Sequence, residues 1–191
     1  VTAAKRELVA ELVAEGLERR EARWLVDEFA TCDDLDKLRS AVERRRSGEP
    51  IQYVLGHWPF RSLDLDVDGR VLIPRPETEE LVDVAMKELA RQGAAAPAIM
   101  DLGCGSGAIG LALLGELAQR GVAATLVGVD ESEDALVVAR ANALKHDLQD
   151  ARFVRSSWFD DVDEALRGTV DLIVANPPYV GADEFERLDA V

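Results

Sequence analysis

The chain has 191 residues, 48% of them hydrophobic and 31% charged, with a formal net charge of −15. That length can bury a real core and fits one domain, or one domain with a small appendage, and the balance reads as soluble and globular. The acidic excess argues against a phosphate-backbone footprint, which usually shows as a basic patch. The longest basic run, Arg44-Arg45-Arg46, sits where a helix should end, and cations favour that end of a helix. The two cysteines, Cys32 and Cys104, are far apart, with no Cys-x-x-Cys or His-rich tract. Neither a zinc site nor a disulfide framework is expected, and a reducing cytoplasm fits best. Lys5, Arg6 and Glu7 precede no long apolar run, so no signal peptide is expected. No window approaches the run of about 18 apolar residues that a membrane-spanning helix needs.

Residues 2–47 read as helices. Leu8, Val9, Leu12 and Val13 recur at helical spacing, and Gly16 breaks the run. Trp24, Leu25, Val26 and Phe29 mark a second helix. Asp33 or Asp34 is placed to cap a third, which carries Leu35, Leu38 and Val42 and stops at Gly48. The pattern changes at Gly48-Glu49-Pro50. From Arg61 the period is two, with Leu63, Leu65 and Val67 alternating with Asp64, Asp66 and Asp68. Asp68-Gly69 then turns into Val71-Leu72-Ile73, which predicts a β-hairpin ended by Pro74 and Pro76. A helix follows from about Glu77, with Leu81, Val82, Ala85 and Leu89 on one face, and Gly93 to Pro97 reads as a linker.

From Ala98 strand and helix alternate. Strands are predicted at Ala98–Met100, Thr125–Val129, Phe153-Val154 and Leu172–Val174. Helices are predicted from Gly107 to Arg120 and from a Ser132 cap to about His146. Continuous apolar strands alternating with helices imply a parallel sheet covered on both faces, an α/β fold.

Two stretches carry chemistry. In "IMDLGCGSGAIGLALL", Gly103, Gly105 and Gly107 follow the first strand of this sheet and open its first helix, where a backbone without Cβ atoms can turn tightly and approach a ligand. The loop lacks the Lys-Ser/Thr pair of a phosphate-binding loop, which disfavours a nucleoside triphosphate. Asp101 opens it, placed to orient the loop or to meet a cofactor amino group. Asp130 ends the next strand, where a carboxylate can accept hydrogen bonds from ribose hydroxyls. This arrangement is similar to the S-adenosylmethionine loop of class I methyltransferases more than to the dinucleotide fingerprint. Cys104 has no activating histidine nearby in sequence and reads as a small residue filling the loop.

The second stretch is "VDLIVANPPYV". Asn176 ends the fourth strand and should face the same crevice as the glycines, since ligands of open parallel sheets sit at the carboxyl ends of strands. Pro177 and Pro178 restrict the backbone, and Tyr179 offers an aromatic face. A planar amide or amino group fits there, its two N–H donors meeting the Asn176 side-chain oxygen and the Pro177 carbonyl. Methyl transfer to such a nitrogen needs in-line positioning more than a strong base.

"GEPIQYVLGHWPF", "VLIPRPETEELVD", "DLGCGSGAIG", "VDES", "SSWFD" and "NPPYV" occur in that order. Together they resemble the peptide-chain release factor glutamine methyltransferase family over nearly the whole chain. The segment Pro74-Arg75-Pro76-Glu77-Thr78-Glu79 favours that branch over the related enzyme for ribosomal protein uL3. The resemblance implies a class I methyltransferase (Rossmann-like) domain over 76–191, a β-hairpin connector over 50–75 and a substrate-binding helical bundle over 1–49. It implies S-adenosyl-L-methionine as methyl donor. The implied acceptor is the side-chain amide nitrogen of the glutamine in the Gly-Gly-Gln loop of class I release factors. Asn176, Pro177, Pro178 and Tyr179 match its substrate motif, with Asn176, Pro177 and Tyr179 as the catalytic set and Arg75, Pro76, Glu77 and Thr78 near the pocket. Asp101, Gly103, Gly105, Gly107, Asp130, Ser157, Trp158 and Asn176 match cofactor positions, with Trp158 flanking the adenine. A cytoplasmic monomer is expected, with no metal, membrane or direct nucleic-acid partner.

Two departures stand out. Ser157 takes the place of an aspartate common in the family, and the sequence ends at Val191, before strands the family would add. The expectation is therefore a C-terminally incomplete domain with strand order 3-2-1-4 and a hydrophobic edge at the fourth strand. His57, Trp58 and Phe60 are expected to pack the hairpin against the main domain, and Gln52 and Tyr53 to pack the connector. The alternatives are an adenine-amino DNA or RNA methyltransferase, and a fragment that binds cofactor without turnover.

Overall fold

The computed structural model describes residues 3–30 and 35–177. The chain divides into two compact units, Val1–Pro59 with Asp64–Ile73, and Phe60–Leu63 with Pro74–Val191.

In the first unit α1 (Ala3–Ala14), α2 (Arg19–Phe29) and α3 (Asp36–Arg46) follow the predicted apolar periods. Leu12, Leu25, Val26, Leu38 and Val42 fall on inward faces and form one core with Ile51 and Val54. Gly16, at φ +99°, stops α1 as expected. Asp33 and Asp34 lie outside the described residues. The cap position of α3 is taken by Leu35, whose side chain makes no capping bond. The arginine run ends α3, and each member is paired: Arg44 with Glu49 at 2.5 Å, Arg45 with Glu21 at 2.9 Å and Arg46 with Glu15 at 2.7 Å.

The connector differs from the sequence expectation. A single-turn helix, α4 (Ile51–Leu55), starts after Pro50 and ends at Gly56, whose φ of +82° suits only glycine well. The hairpin pairs β1 (His57–Phe60) with β2 (Leu63–Asp66). Leu63, Leu65 and Val67 are buried, as the alternation predicts, but their partner lies upstream. Val71–Ile73 forms no strand. Asp68 does turn the chain, accepting from Arg70 N at 3.0 Å, while Tyr53 Oη donates to Val71 O at 2.6 Å. Three residues between that turn and Pro74 leave too short a ladder to compete with the four-residue β1.

Trp58 packs edge-on against Trp24 at 5.3 Å, and His57 bonds Asp64 at 2.6 Å and Glu28 at 3.3 Å. Both therefore pack within the first unit. Burial pushes the His57 pKa down, but the Asp64 and Glu28 carboxylates outweigh it and hold it above the ordinary histidine value. Phe60, 1% exposed, belongs to the second unit.

In that unit a 3-10 turn (Pro76–Thr78) leads into α5 (Glu79–Gln92). Then β3 (Ala98–Leu102), α6 (Ala108–Gln119), β4 (Thr125–Asp130), α7 (Glu133–Lys145), β5 (Ala151–Arg155) and β6 (Leu172–Ala175) alternate. The strands form one parallel sheet in the order β5-β4-β3-β6, the predicted 3-2-1-4. Alternate residues of β3 serve opposite faces. Met100 and Leu102 pack with Val129, Val162 and Leu166, while Asp101 meets α6. Ser132 caps α7 as expected, its Oγ accepting from Ala135 N at 3.2 Å.

Candidate active site

Strand register fixes where the site residues emerge. Leu102 lies beside both Val129 and Ala175, and Asp130 lies beside Arg155. Gly103, Asp130, Ser156 and Asn176 therefore leave the sheet at one carboxyl edge, where parallel sheets bind ligands.

The glycine loop is held from three sides. Cys104 N donates to Val129 O at 2.9 Å, Gly105 N to Asp130 Oδ2 at 2.9 Å, and Asn142 Nδ2, from α7, to Ser106 O at 2.9 Å. Gly103, Gly105 and Gly107 have φ of +68°, +54° and +80°. Among the described residues, a Cβ at Gly103 or Gly105 would meet nothing within 4 Å, so the backbone there borders open space. Gly107 has a packing role, since its Cβ would lie 2.8 Å from Leu111 Cδ1.

Asp101 is 1% exposed. Its Oδ2 accepts from Gly110 N at 2.9 Å, satisfying an amide of the first turn of α6, and its Oδ1 has no partner among the described residues. Burial raises its pKa to about 7, the Gly110 N–H opposing and the Asp130 charge adding to the rise. Of the two roles expected for Asp101, loop orientation has a bond behind it. Asp130 accepts from Gly105 N and Ser132 N, both at 2.9 Å, and so clamps the glycine loop to the start of α7. Its half-buried carboxylate keeps further lone pairs for a ligand. Burial pushes the Cys104 thiol up, with the Asp101 and Asp130 charges adding to it, which favours the neutral thiol over a thiolate nucleophile.

On the far side of β4, Ser157 Oγ donates to Glu131 Oε1 at 2.6 Å. Trp158 follows, 57% exposed and at φ +52°. At the other edge, Asn176 Nδ2 donates to Thr78 Oγ1 at 3.2 Å, joining two candidate segments 98 positions apart. Thr78 is itself set by the turn in which its N donates to Arg75 O at 3.0 Å. Arg75, Pro76 and Glu77 are exposed, Pro177 is half-buried, and Pro178 and Tyr179 lie outside the described residues.

Sequence reasoning passed over Asn142, Glu131 and Gly128. Asn142 is fully buried on an apolar helix face, a placement that demands a partner. A Cβ at Gly128 would lie 2.6 Å from the Phe153 ring and 3.2 Å from Cys104 Sγ, so this glycine lets the loop settle on β4. Among the described residues no group of three or more His, Cys, Asp or Glu could hold a metal, and no helix is long and apolar enough to cross a membrane.

A parallel sheet with a glycine loop, an acidic strand tip and an Asn-Pro exit at one edge is the Rossmann-like arrangement of class I methyltransferases. Residues 78–188 match the family model of the methyltransferase small domain, and the chain belongs to that family. Curated relatives that match the chain bear the name release factor glutamine methyltransferase, among them the following three. That of Agrobacterium fabrum is 46% identical over 165 residues, covering 83% of this chain and 53% of its own. That of Chlorobaculum tepidum is 39% identical over 178 residues, covering 91% and 59%. The human one, which acts on MTRF1L by its name, is 39% identical over 170 residues, covering 83% and 48%. The chain thus spans about half the length of the curated relatives it matches.

Proposed function

We propose that the chain carries the cofactor loop and amide-binding exit of a protein-glutamine N-methyltransferase. The methyl donor in this reading is S-adenosyl-L-methionine, and the acceptor is the glutamine side-chain amide nitrogen in the Gly-Gly-Gln loop of class I peptide chain release factors. The Asn176–Thr78 hydrogen bond carries the reading. It spends one N–H of the Asn176 amide and leaves Oδ1 as the acceptor for a substrate N–H. Pro177 has no N–H to offer, and its carbonyl is the second acceptor. A planar amide held by both N–H groups keeps its nitrogen lone pair out of the hydrogen bonds and free for attack.

The glycine loop suits the cofactor, because the open space beside Gly103 and Gly105 admits a ligand against bare backbone. When bound, the cofactor supplies a methyl group on a sulfonium, already a good leaving group. Asp130 would accept from the ribose hydroxyls, and Trp158 would flank the base. The new N–CH3 bond would form as the S–CH3 bond breaks, S-adenosylhomocysteine would leave, and the proton displaced from the amide nitrogen would pass to solvent. In-line alignment of acceptor and methyl is what the site supplies, with no general base assigned. The helical unit would bind the release factor, in the cytoplasm and as a monomer. Pairing of the arginine run with Glu49, Glu21 and Glu15 favours a protein substrate over a nucleic acid.

The test is methyl incorporation from labelled S-adenosylmethionine into a class I release factor, located by mass spectrometry. Incorporation is expected at the Gly-Gly-Gln glutamine, and Asn176→Ala should lower it by about 100-fold, in the range for loss of a positioning contact. Labelling of an adenine-containing oligonucleotide in place of the release factor would overturn the reading.

A further inference from the structure

The carboxyl ends of β4 and β5 are tied together around one exposed carboxylate. Ser156 N donates to Asp130 O at 3.0 Å, which carries the pairing of the two strands one step past their last register pair. Arg155 Nε donates to Glu131 O at 3.1 Å, and Ser157 Oγ donates to Glu131 Oε1 at 2.6 Å. Glu131 is therefore fixed at both backbone and side chain, although a solvent-facing glutamate would ordinarily keep its rotamer freedom. It adjoins Asp130 in sequence, and the serine that holds it adjoins Trp158. The indole is 57% exposed on a backbone with φ +52°, a conformation a bulky residue adopts only when its surroundings require it. An acceptor-only carboxylate and a flat aromatic face thus share one clasp at the ligand edge of the sheet.

We infer that Glu131, positioned by Ser157, reads the nucleobase of the cofactor and selects an aminopurine over an oxopurine. Oε1 takes the Ser157 proton and leaves Oε2 to accept an N–H from an exocyclic amine. A carbonyl in that place would set two acceptors against each other. The inference rests on the cofactor reading above and adds a specificity residue to it. Glu131 would touch the base, and Ser157 would act through Glu131 as a positioning residue.

The test is calorimetric titration of the whole chain with S-adenosylhomocysteine and with S-inosylhomocysteine. A preference of about tenfold for the adenosyl compound is expected, the size of one charge-assisted hydrogen bond at an exposed site. Glu131→Ala should abolish the preference by weakening only the adenosyl compound, with an unchanged urea midpoint because the side chain is exposed. Glu131→Gln should narrow it, since an amide can also donate to a carbonyl. Ser157→Ala should fall between wild type and Glu131→Ala. Equal binding of both compounds by wild type, or an intact preference in Glu131→Ala, would overturn the inference. If Asp130→Ala still weakened binding in that case, the cofactor reading would stand without it. Binding of neither compound by wild type would overturn both.

Discussion

At the scale of single residues, the glycines of the loop differ in what they do. Gly107→Ala forces a Cβ to within 2.8 Å of Leu111 Cδ1 in a buried position. It should cost about 1–3 kcal/mol of stability by urea denaturation. Gly105→Ala meets open space and suffers only from its φ of +54°. A cost near 1 kcal/mol is expected for it, with a larger loss of cofactor affinity than of stability in a paired titration and melt. Asp101 makes a pH prediction. Its pKa is raised on folding from 3.8 to about 7, so its contribution to stability is fully present below 3.8 and is lost as pH rises through about 7. Asp101→Asn keeps an oxygen for Gly110 N and removes the titration. The fall in urea midpoint between those two pH values should be shallower in the variant than in wild type; parallel curves would count against a buried, titrating Asp101.

Elements show which physical signals survive in sequence. Ser132 is legible because a capping serine acts within its own turn, and Ser132→Ala should cost about 1 kcal/mol by urea denaturation. The parallel strands are legible for a similar reason, since apolar runs between helical periods leave few arrangements. The hairpin was legible on one strand only. Leu63, Leu65 and Val67 announce a buried face, but alternation does not say which neighbour pairs with it, and the turn that Asp68-Gly69 does form closes no hairpin. Nothing local marks His57-Trp58-Pro59-Phe60 as the partner, because Trp58 is held by Trp24, 34 positions away across the helical unit. Trp58→Ala should therefore destabilise by about 2–4 kcal/mol, with the loss read from near-ultraviolet circular dichroism of that unit. In the site, the glycines, Asp130 and Asn176 were legible as residue types that suit a ligand. Asn142, Glu131 and the Asn176–Thr78 bond were not, because each depends on a partner brought close only by the fold.

Across the whole molecule, the titrating groups set a stability window. His57 and Asp101 both bind protons more tightly when folded, so the Asp101 contribution falls across the interval from 3.8 to about 7 and the His57 contribution falls as pH rises above 6.5. Glu49, Asp68 and Glu88 are held below their ordinary values by Arg44, Arg70 and Arg91, and their smaller surface contributions fade as pH falls below 4.5. The excess of 15 negative charges adds repulsion at high pH. Urea midpoints should thus be highest near the ordinary carboxylate values of 3.8 to 4.5 and fall as pH rises toward 7; a midpoint that rises across that interval would contradict this balance.

The central claim is that the carboxyl edge of the sheet, clamped by Asp130 and closed by Asn176, is where the methyl donor binds. Calorimetric titration of the 191-residue chain with S-adenosylmethionine tests it most directly. The account predicts saturable one-to-one binding that weakens at least about tenfold in Asp130→Ala, the loss expected when a charge-assisted hydrogen bond is removed. Binding left unchanged by that substitution would place the cofactor elsewhere and contradict the account.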